Sequence, residues 1–412
     1  MATPDRPPLE GITILDLSRV LAGPYAAMLL ADMGARVVKV ERPGAGDDTR
    51  SWGPPFVNGQ STYFLSVNRN KESVQLDFKD DVDRAVLRRL IADADVLIEN
   101  FRPGVMERLG LGADALERLN PRLVMLSISG FGSTGPDRAR PGYDEILQAE
   151  GGIMSLTGEP DGEPTKVGLP VADLLAGTFG ALGVLAALRE RDQVSGRGQR
   201  VETSLLASQI AIHGYQGTRW LVAGEVPGRD GNHHPTVCPY GLFPTADDPI
   251  VVAVGNDAMW SRFAPLLGLD PDAYPTNALR LEHRDALEAQ IGVRMRRAGA
   301  THWLECFADH GVPAGRVRTL DQVYAAPQVR EQGLVVSVEH PSLGRIELPG
   351  PPLRFGRSGA RRHEAPPTLG RVELPGPPLR FGRSAPREHI APPLLGQDSA
   401  ALRHPRRERR AA

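Results

Sequence analysis

The sequence is poor in lysine, in cysteine and in net charge, and each shortage excludes something. Four lysines, Lys39, Lys71, Lys79 and Lys166, stand among 48 basic residues. The preference for arginine reads first as codon usage, which leaves the few lysines as charges whose placement is worth locating. Against 50 acidic residues the formal net charge is -2, so no whole-molecule field grips nucleic acid or an anionic membrane, and neither is expected as a partner. Two cysteines, Cys238 and Cys306, lie far apart without CxxC spacing. That excludes a disulfide framework and a zinc knuckle, and a reducing, cytoplasmic setting is expected. The opening MATPDRPPLEG has neither the basic nor the apolar stretch of a secretory leader, so none is expected. The longest apolar run, Leu174 to Leu188, is rich in Gly and Ala and falls short of the about 20 residues a bilayer span needs. Neither a Walker loop nor a GxSxG elbow occurs.

What is present is an α/β alternation. ITILDL at 12–17, a small-residue helix over 22–35 and RVVKVE at 36–41 form one βαβ unit. The pattern continues with VQLDF at 74–78, a helix over 81–93, VLIENF at 96–101, a helix over 105–119 and LVMLSIS at 123–129. This spacing predicts a large, doubly wound, Rossmann-like parallel sheet with helices on both faces. A long helix over 174–192, VETSLL at 201–206 and an apolar helix over 204–223 follow. Texture then turns loop-rich, and PIVVAVG at 249–255 opens a smaller α/β segment. The expected division is 1–225 for the large domain, 226–330 for the small one and 331–396 for a return to the large one. Within that return PSLGRIELPGPPLRFGRS at 341–358 is repeated as PTLGRVELPGPPLRFGRS at 367–384, with a period of 26 residues. Two Pro-rich copies with little helical or strand periodicity do not make a solenoid. A tandem duplication is the expected origin, with one copy left as a loop or disordered. Residues 397–412 carry five arginines against Asp398 and Glu408 and read as a solvated basic tail.

Candidate chemistry is sparse. GFGSTG at 130–135 has dinucleotide-loop spacing, but a helix-hostile PDRARPG follows where a helix must start to face a pyrophosphate. His233 and His234 are adjacent in a Gly/Pro loop, point in different directions, and suggest no metal site. The DDVD cluster at 80–83 is explained by a helix cap with first-turn acids. Asp173 in VGLPVADLLAG stands where an extended segment meets the apolar helix expected from Leu174. It suits an N-cap first, and the same position also suits a nucleophile kept ionised by backbone N–H groups.

Six segments taken together resemble the class III CoA-transferases, the formyl-CoA transferase and carnitine CoA-transferase family. They are LDLSRVLAGPYAAMLLADMGARVVKVERPGAGDDTR at 15–50, YFLSVNRNKESVQLD at 63–77, ENFRPGVMERLGL at 99–111, SISGFGSTGP at 127–136, PGYDEILQAEGG at 141–152 and VADLLAG at 171–177. The resemblance runs from about residue 9 to 358. It implies that Asp173 is the nucleophile. The carboxylate attacks the donor thioester to give a mixed anhydride and CoA thiolate, the thiolate returns to give an aspartyl-CoA thioester, and the acceptor acid reverses the sequence. It further implies CoA contacts at Val20, Leu21, Ala22, Arg42, Leu76 to Lys79, Asn100, Phe101 and Arg108. Tyr143 and Asp144 would line the substrate pocket, and Gly255 and Asn256 would lie in a small-domain loop that closes over it. CoA is then a substrate, with no resident cofactor or metal, and an interlocked homodimer is implied. The α-methylacyl-CoA racemases share the fold but read GHD where this chain has Gly142-Tyr143-Asp144. Tyrosine, with an ordinary pKa of about 10, is a poor base near neutrality. A racemase and an inactive CoA-binding paralogue stay open beside the transferase. Segments at 47–56, 61–71, 204–213 and 251–263 look most like the succinyl-CoA:glutarate subgroup, which implies a succinyl-CoA donor and a short dicarboxylate acceptor.

Overall fold

Short β-branched runs separated by helical spacing give six parallel strands in this computed structural model, which describes residues 6–358 and 362–367. The strands are β1 (Thr13–Asp16), β2 (Arg36–Glu41), β3 (Lys71–Gln75), β4 (Val96–Glu99), β5 (Val124–Ser129) and β6 (Arg200–Ser204). They lie in the order β3-β2-β1-β4-β5-β6, all parallel. That is the Rossmann order, with its reversal between β1 and β4.

The pleat divides the apolar residues between two cores. Ile14 pairs in register with Val37 and Val96, and all three face the core under helices α1 (Ala22–Asp32) and the long Val171–Glu190 helix. Leu15 pairs with Val38 and Leu97, which face the opposite core under helix α2 (Asp81–Asp93). Both faces are therefore covered, as a purely parallel sheet requires. Asp80 caps α2 by accepting from Val82 N and Asp83 N, as the DDVD cluster predicts. Two further helices complete the site: α3 (Asp144–Glu150) and α4, the Val171–Glu190 helix.

Several boundaries differ from expectation. The strand placed at 74–78 runs instead from Lys71 to Gln75. The helix expected over 105–119 is two, Val105–Arg108 and Ala113–Leu119, because Gly110 takes a positive φ of 67° between them. The helix over 204–223 is likewise split, into Leu205–Ile212 and Gly214–Ala223, with Gly214 at φ 54°. The α4 helix starts three residues before Leu174, and together with a π turn to Ser195 it is long and apolar enough, by length and composition, to cross a bilayer. Its Ala172, Ala176, Gly180 and Val184 are instead buried towards the sheet.

The chain divides into two compact units, one of residues 1–151, 168–217 and 330 onwards, the other of 152–167 and 218–329. The second unit is thus wider than the expected 226–330. Arg229 donates to the carbonyls of Glu159, Pro160 and Gly162, and Gly231 N to Gly158 O, which ties 152–167 to it. Its antiparallel sheet has β7 (Tyr240–Phe243), β8 (Ile250–Ala253) and β9 (Ala314–Arg316) in the order β9-β8-β7. A core of Trp260, Phe263, Ile291 and Phe307 lies against it.

Back in the first unit, β10 (Val335–His340) and β11 (Gly344–Pro349) form a hairpin. The first copy of the duplicated unit therefore does contribute a strand, GRIELP. Residues 363–367 then dock on the first unit. Asn70 N donates to Glu364 O, Asn70 Oδ1 accepts from Glu364 N, and Arg50 donates to Pro367 O at 3.0 Å. The second copy beyond Pro367 and the basic tail 397–412 lie outside the described residues.

Candidate active site

The C-terminal ends of parallel strands carry the residues expected to meet CoA, where open α/β sheets place their ligands. Val20 follows β1, Arg42 follows β2, Leu76 to Lys79 follow β3, and Asn100 and Phe101 follow β4. Val20 has φ 70°, a left-handed conformation that costs a β-branched residue about 1–3 kcal/mol and persists only where its surroundings dictate it. Asn100 supplies part of that dictation, accepting from Arg19 N at 2.9 Å and donating to Arg19 O at 2.7 Å. Leu21 and Ala22 are buried at the start of α1. Leu76 is a core residue, whereas Lys79 is exposed. Arg42 is exposed and pairs with Asp48, and Arg108 is exposed on its short helix. Phe101 stands edge-on to Phe78 with centroids 6.4 Å apart, and the Arg19 guanidinium lies 5.4 Å from its ring. Beside Phe101 opens a cavity of about 380 Å³ walled by Met106, Leu111 and Met125, with Glu99 and Ser127 at its polar end. Burial pushes the Glu99 carboxyl up, against its bonds with Ser127 and Phe101 N.

Beneath the first turn lies a buried ionic cluster that the motifs did not reveal. Lys39 Nζ is 2.9 Å from Asp47 and 3.8 Å from Asp16, Lys71 Nζ is 2.9 Å from Asp16, and all four side chains are fully buried. Burial alone would lower Lys39, but Asp16, Asp47 and Glu41 together raise it above the ordinary lysine value. Burial opposes ionisation of Asp47 as well, yet Lys39 and the Thr49 donors hold it down at about 2. Two of the chain's four lysines are thus placed charges. The signal was in the sequence: RVVKVE sets Lys39 between the valines of β2.

Asp173 sits in the first turn of α4, but it is not the cap. Asp144 Oδ1, from α3, accepts from Ala172 N at 2.7 Å and Asp173 N at 3.3 Å. Gln148 Nε2 donates to Asp144 Oδ2 at 2.6 Å and to Leu169 O at 3.2 Å, fixing Asp144 in that role. The helix-end donors are therefore spent on Asp144 and do not keep Asp173 ionised. Burial first, and the Asp144 charge second, push the Asp173 carboxyl up to about 7. Nearby Tyr63 is pushed up to about 12 by burial and then by Asp173, Asp144 and Asp47, and its ring meets Trp52 edge-on at 5.1 Å. Gly177, the glycine of VADLLAG, lies one turn after Asp173. A Cβ there would stand 2.6 Å from Ala22 O, so glycine lets α4 close on α1. Tyr143 precedes α3 and is largely exposed.

Other candidate residues have local partners of their own. In the GFGSTG loop no helix follows Gly135 until α3. A Cβ on Gly130 would lie 3.1 Å from Gly142 Cα, so this glycine serves loop packing. His233 lies 3.1 Å from the Glu288 carboxylate and His234 stacks on Tyr240. Asn256, next to Gly255 in the second unit, caps the Asp257–Leu266 helix by accepting from Met259 N.

The profile of CoA-transferase family III matches residues 9–373. The chain belongs to this family. As a family III CoA-transferase it is 41% identical over 354 residues to the succinyl-CoA:glutarate CoA-transferase of Mus musculus, covering 85% of this chain and 81% of that protein. It is 42% identical over 344 residues to the succinate–glutarate CoA-transferase of Agrobacterium fabrum, with 81% and 86% covered. The acetyl-CoA:oxalate CoA-transferase of Acetobacter aceti is 40% identical over 361 residues, with 86% and 91% covered. Among solved structures, a CAIB/BAIF family protein from Brucella suis superposes with a TM-score of 0.81 at 35% identity, over 97% of this chain and 99% of that one. This family III CoA-transferase is an enzyme that moves CoA between an acyl-CoA and a carboxylic acid.

Proposed function

We propose that the enzyme transfers CoA from succinyl-CoA to a short dicarboxylic acid through Asp173. The donor and the acceptor class are those named for similar proteins from Mus musculus and Agrobacterium fabrum. The observation that carries the mechanism is the carboxyl of Asp173, buried at the start of α4 and poised at about 7. A carboxyl poised there is available as an anion near neutrality and is a stronger nucleophile than an ordinary aspartate. Its attack on the thioester carbonyl expels CoA thiolate and leaves a mixed anhydride. The thiolate then attacks the aspartyl carbonyl of that anhydride and releases succinate, leaving an aspartyl-CoA thioester. The acceptor carboxylate attacks this thioester and expels thiolate, and the thiolate recaptures the acyl group and frees Asp173. Burial keeps water from the activated carbonyls.

In this reading Val20, Leu21, Ala22, Arg42, Leu76, Lys79, Asn100, Phe101 and Arg108 contact CoA, the arginines through phosphate oxygens. Tyr143, Asp144, Gly255 and Asn256 belong to the substrate pocket. Tyrosine at 143, where racemases carry histidine, weighs against proton transfer as the activity. CoA is consumed and returned as substrate, and the setting is cytoplasmic. Exposed Ile210, Ile212, Tyr215, Trp220, Leu221 and Val222 support association of two chains.

Incubation with succinyl-CoA followed by mass spectrometry of the peptide containing Asp173 is expected to show a covalent adduct. Asp173→Asn is expected to abolish both adduct and transfer, and unaltered transfer in that variant would sink the mechanism.

A further inference from the structure

The turn after β1 is held by more than Asn100. Ser18 N and Oγ both donate to Asp16 Oδ1, the former at 3.0 Å. Lys39 Nζ donates to Ser18 O at 2.9 Å, and Val20 N donates to Asp47 Oδ1 at 3.3 Å. With the two Asn100 bonds to Arg19, every main-chain polar group from Ser18 N to Val20 N is held by a side chain. Two of those side chains, Asp16 and Asp47, are joined through Lys39, which stands between them and grips the turn itself. A single ammonium thus links strand β2, the loop at Asp47 and the Ser18 carbonyl, two residues before the left-handed Val20.

We propose that Lys39 is a positioning residue for acyl-CoA binding, fixing the Ser18–Val20 turn through Ser18 O and through its ion pair with Asp47. The proposal rests on the reading above in which Val20 to Ala22 contact CoA. Lys39 is sealed from solvent, so it acts on the ligand only through the turn. Asp47 Oδ1 also accepts from Thr49 N and Oγ1 at 2.9 and 2.7 Å, so the carboxylate that holds Val20 N is itself seated in its own loop. Lys71 occupies the far side of Asp16 and donates to Pro24 O and Asn68 Oδ1 at 2.8 and 2.9 Å. It anchors α1 and leaves the turn carbonyl to Lys39.

The test compares Lys39→Met, the isosteric Asp47→Asn and a control, Leu90→Ala, which opens the core under α2 away from the turn. CoA affinity is measured by calorimetry, steady-state constants are measured with succinyl-CoA and glutarate, and melting temperatures are recorded for all three. Lys39→Met and Asp47→Asn are expected to weaken CoA binding and raise the succinyl-CoA KM about tenfold, with the glutarate KM unchanged, while Leu90→Ala melts lower yet binds CoA as wild type does. Wild-type CoA affinity in Asp47→Asn, or equal weakening in Leu90→Ala, overturns the positioning role, and Asp47→Asn decides the matter if Lys39→Met does not fold. A wild-type enzyme that binds no CoA sinks the functional reading itself, which separates the two failures.

Discussion

With burial and the Asp144 charge acting on it, Asp173 keeps its proton well above the ordinary aspartate range and releases it at about 7. In the proposed mechanism attack needs the anion, so transfer is expected to rise as pH passes upward through about 7 and to fall away below it. Asp144→Asn keeps an oxygen to accept from Ala172 N and Asp173 N but removes the neighbouring charge. Removing a like charge favours the Asp173 anion, so the rising limb of kcat/KM against pH is expected to move to lower pH. A limb that stays in place would show that burial alone sets it. The role proposed for Asp173 comes from the sequence, where VADLLAG stands in order with five other segments. The role of Asp144 was not: it caps a helix that begins 27 residues later, and no local pattern joins a side chain to a helix end at that distance. Lys39 was half legible, as a scarce residue between the valines of β2, but its partners Asp16 and Asp47 come from two other loops and strands.

Strands of the large sheet were read to within a few residues because β-branched runs bounded by turn residues have few other solutions. Helix interruptions were not, because the apolar pattern of 105–119 and 204–223 runs on through Gly110 and Gly214, and a glycine inside a helix costs only about 1 kcal/mol. The α4 helix misled in a different way, since its start is set by Asp144 and not by its own residues. Its seat against α1 depends on Gly177, one turn beyond Asp173. Gly177→Ala places a Cβ against a main-chain carbonyl that cannot rotate aside. The variant is expected to lose about 1–3 kcal/mol, read as a lower denaturation midpoint. It is also expected to transfer CoA more slowly, because the same displacement carries Asp173 outward. A wild-type midpoint would mean that α4 has room the close approach denies.

For the whole chain, the large parallel sheet followed from the order of elements. The reach of the second unit did not, because Arg229 recruits 152–167 across a gap of some 70 residues. The C-terminal docking contacts fall on His363-Glu364-Ala365-Pro366-Pro367, and the sequence repeats this stretch one 26-residue period later as His389-Ile390-Ala391-Pro392-Pro393. The two bonds between Asn70 and residue 364 run to main-chain N and O, and the bond from Arg50 runs to a proline carbonyl, so none of the three needs the side chain of Glu364. Deleting 363–388 brings the second stretch to follow Arg362 directly. That variant is expected to melt with the wild type, whereas a chain ending at Arg362 is expected to melt lower, and equal losses in the two would refute the equivalence. The contacts at Asn70 and Arg50 read backbone more than side chain, so a duplication landing there copies the latch together with the insert. If the deletion variant melts with the wild type, the second stretch is a usable spare, and a substitution that spoils one latch can be covered by its twin in the same chain.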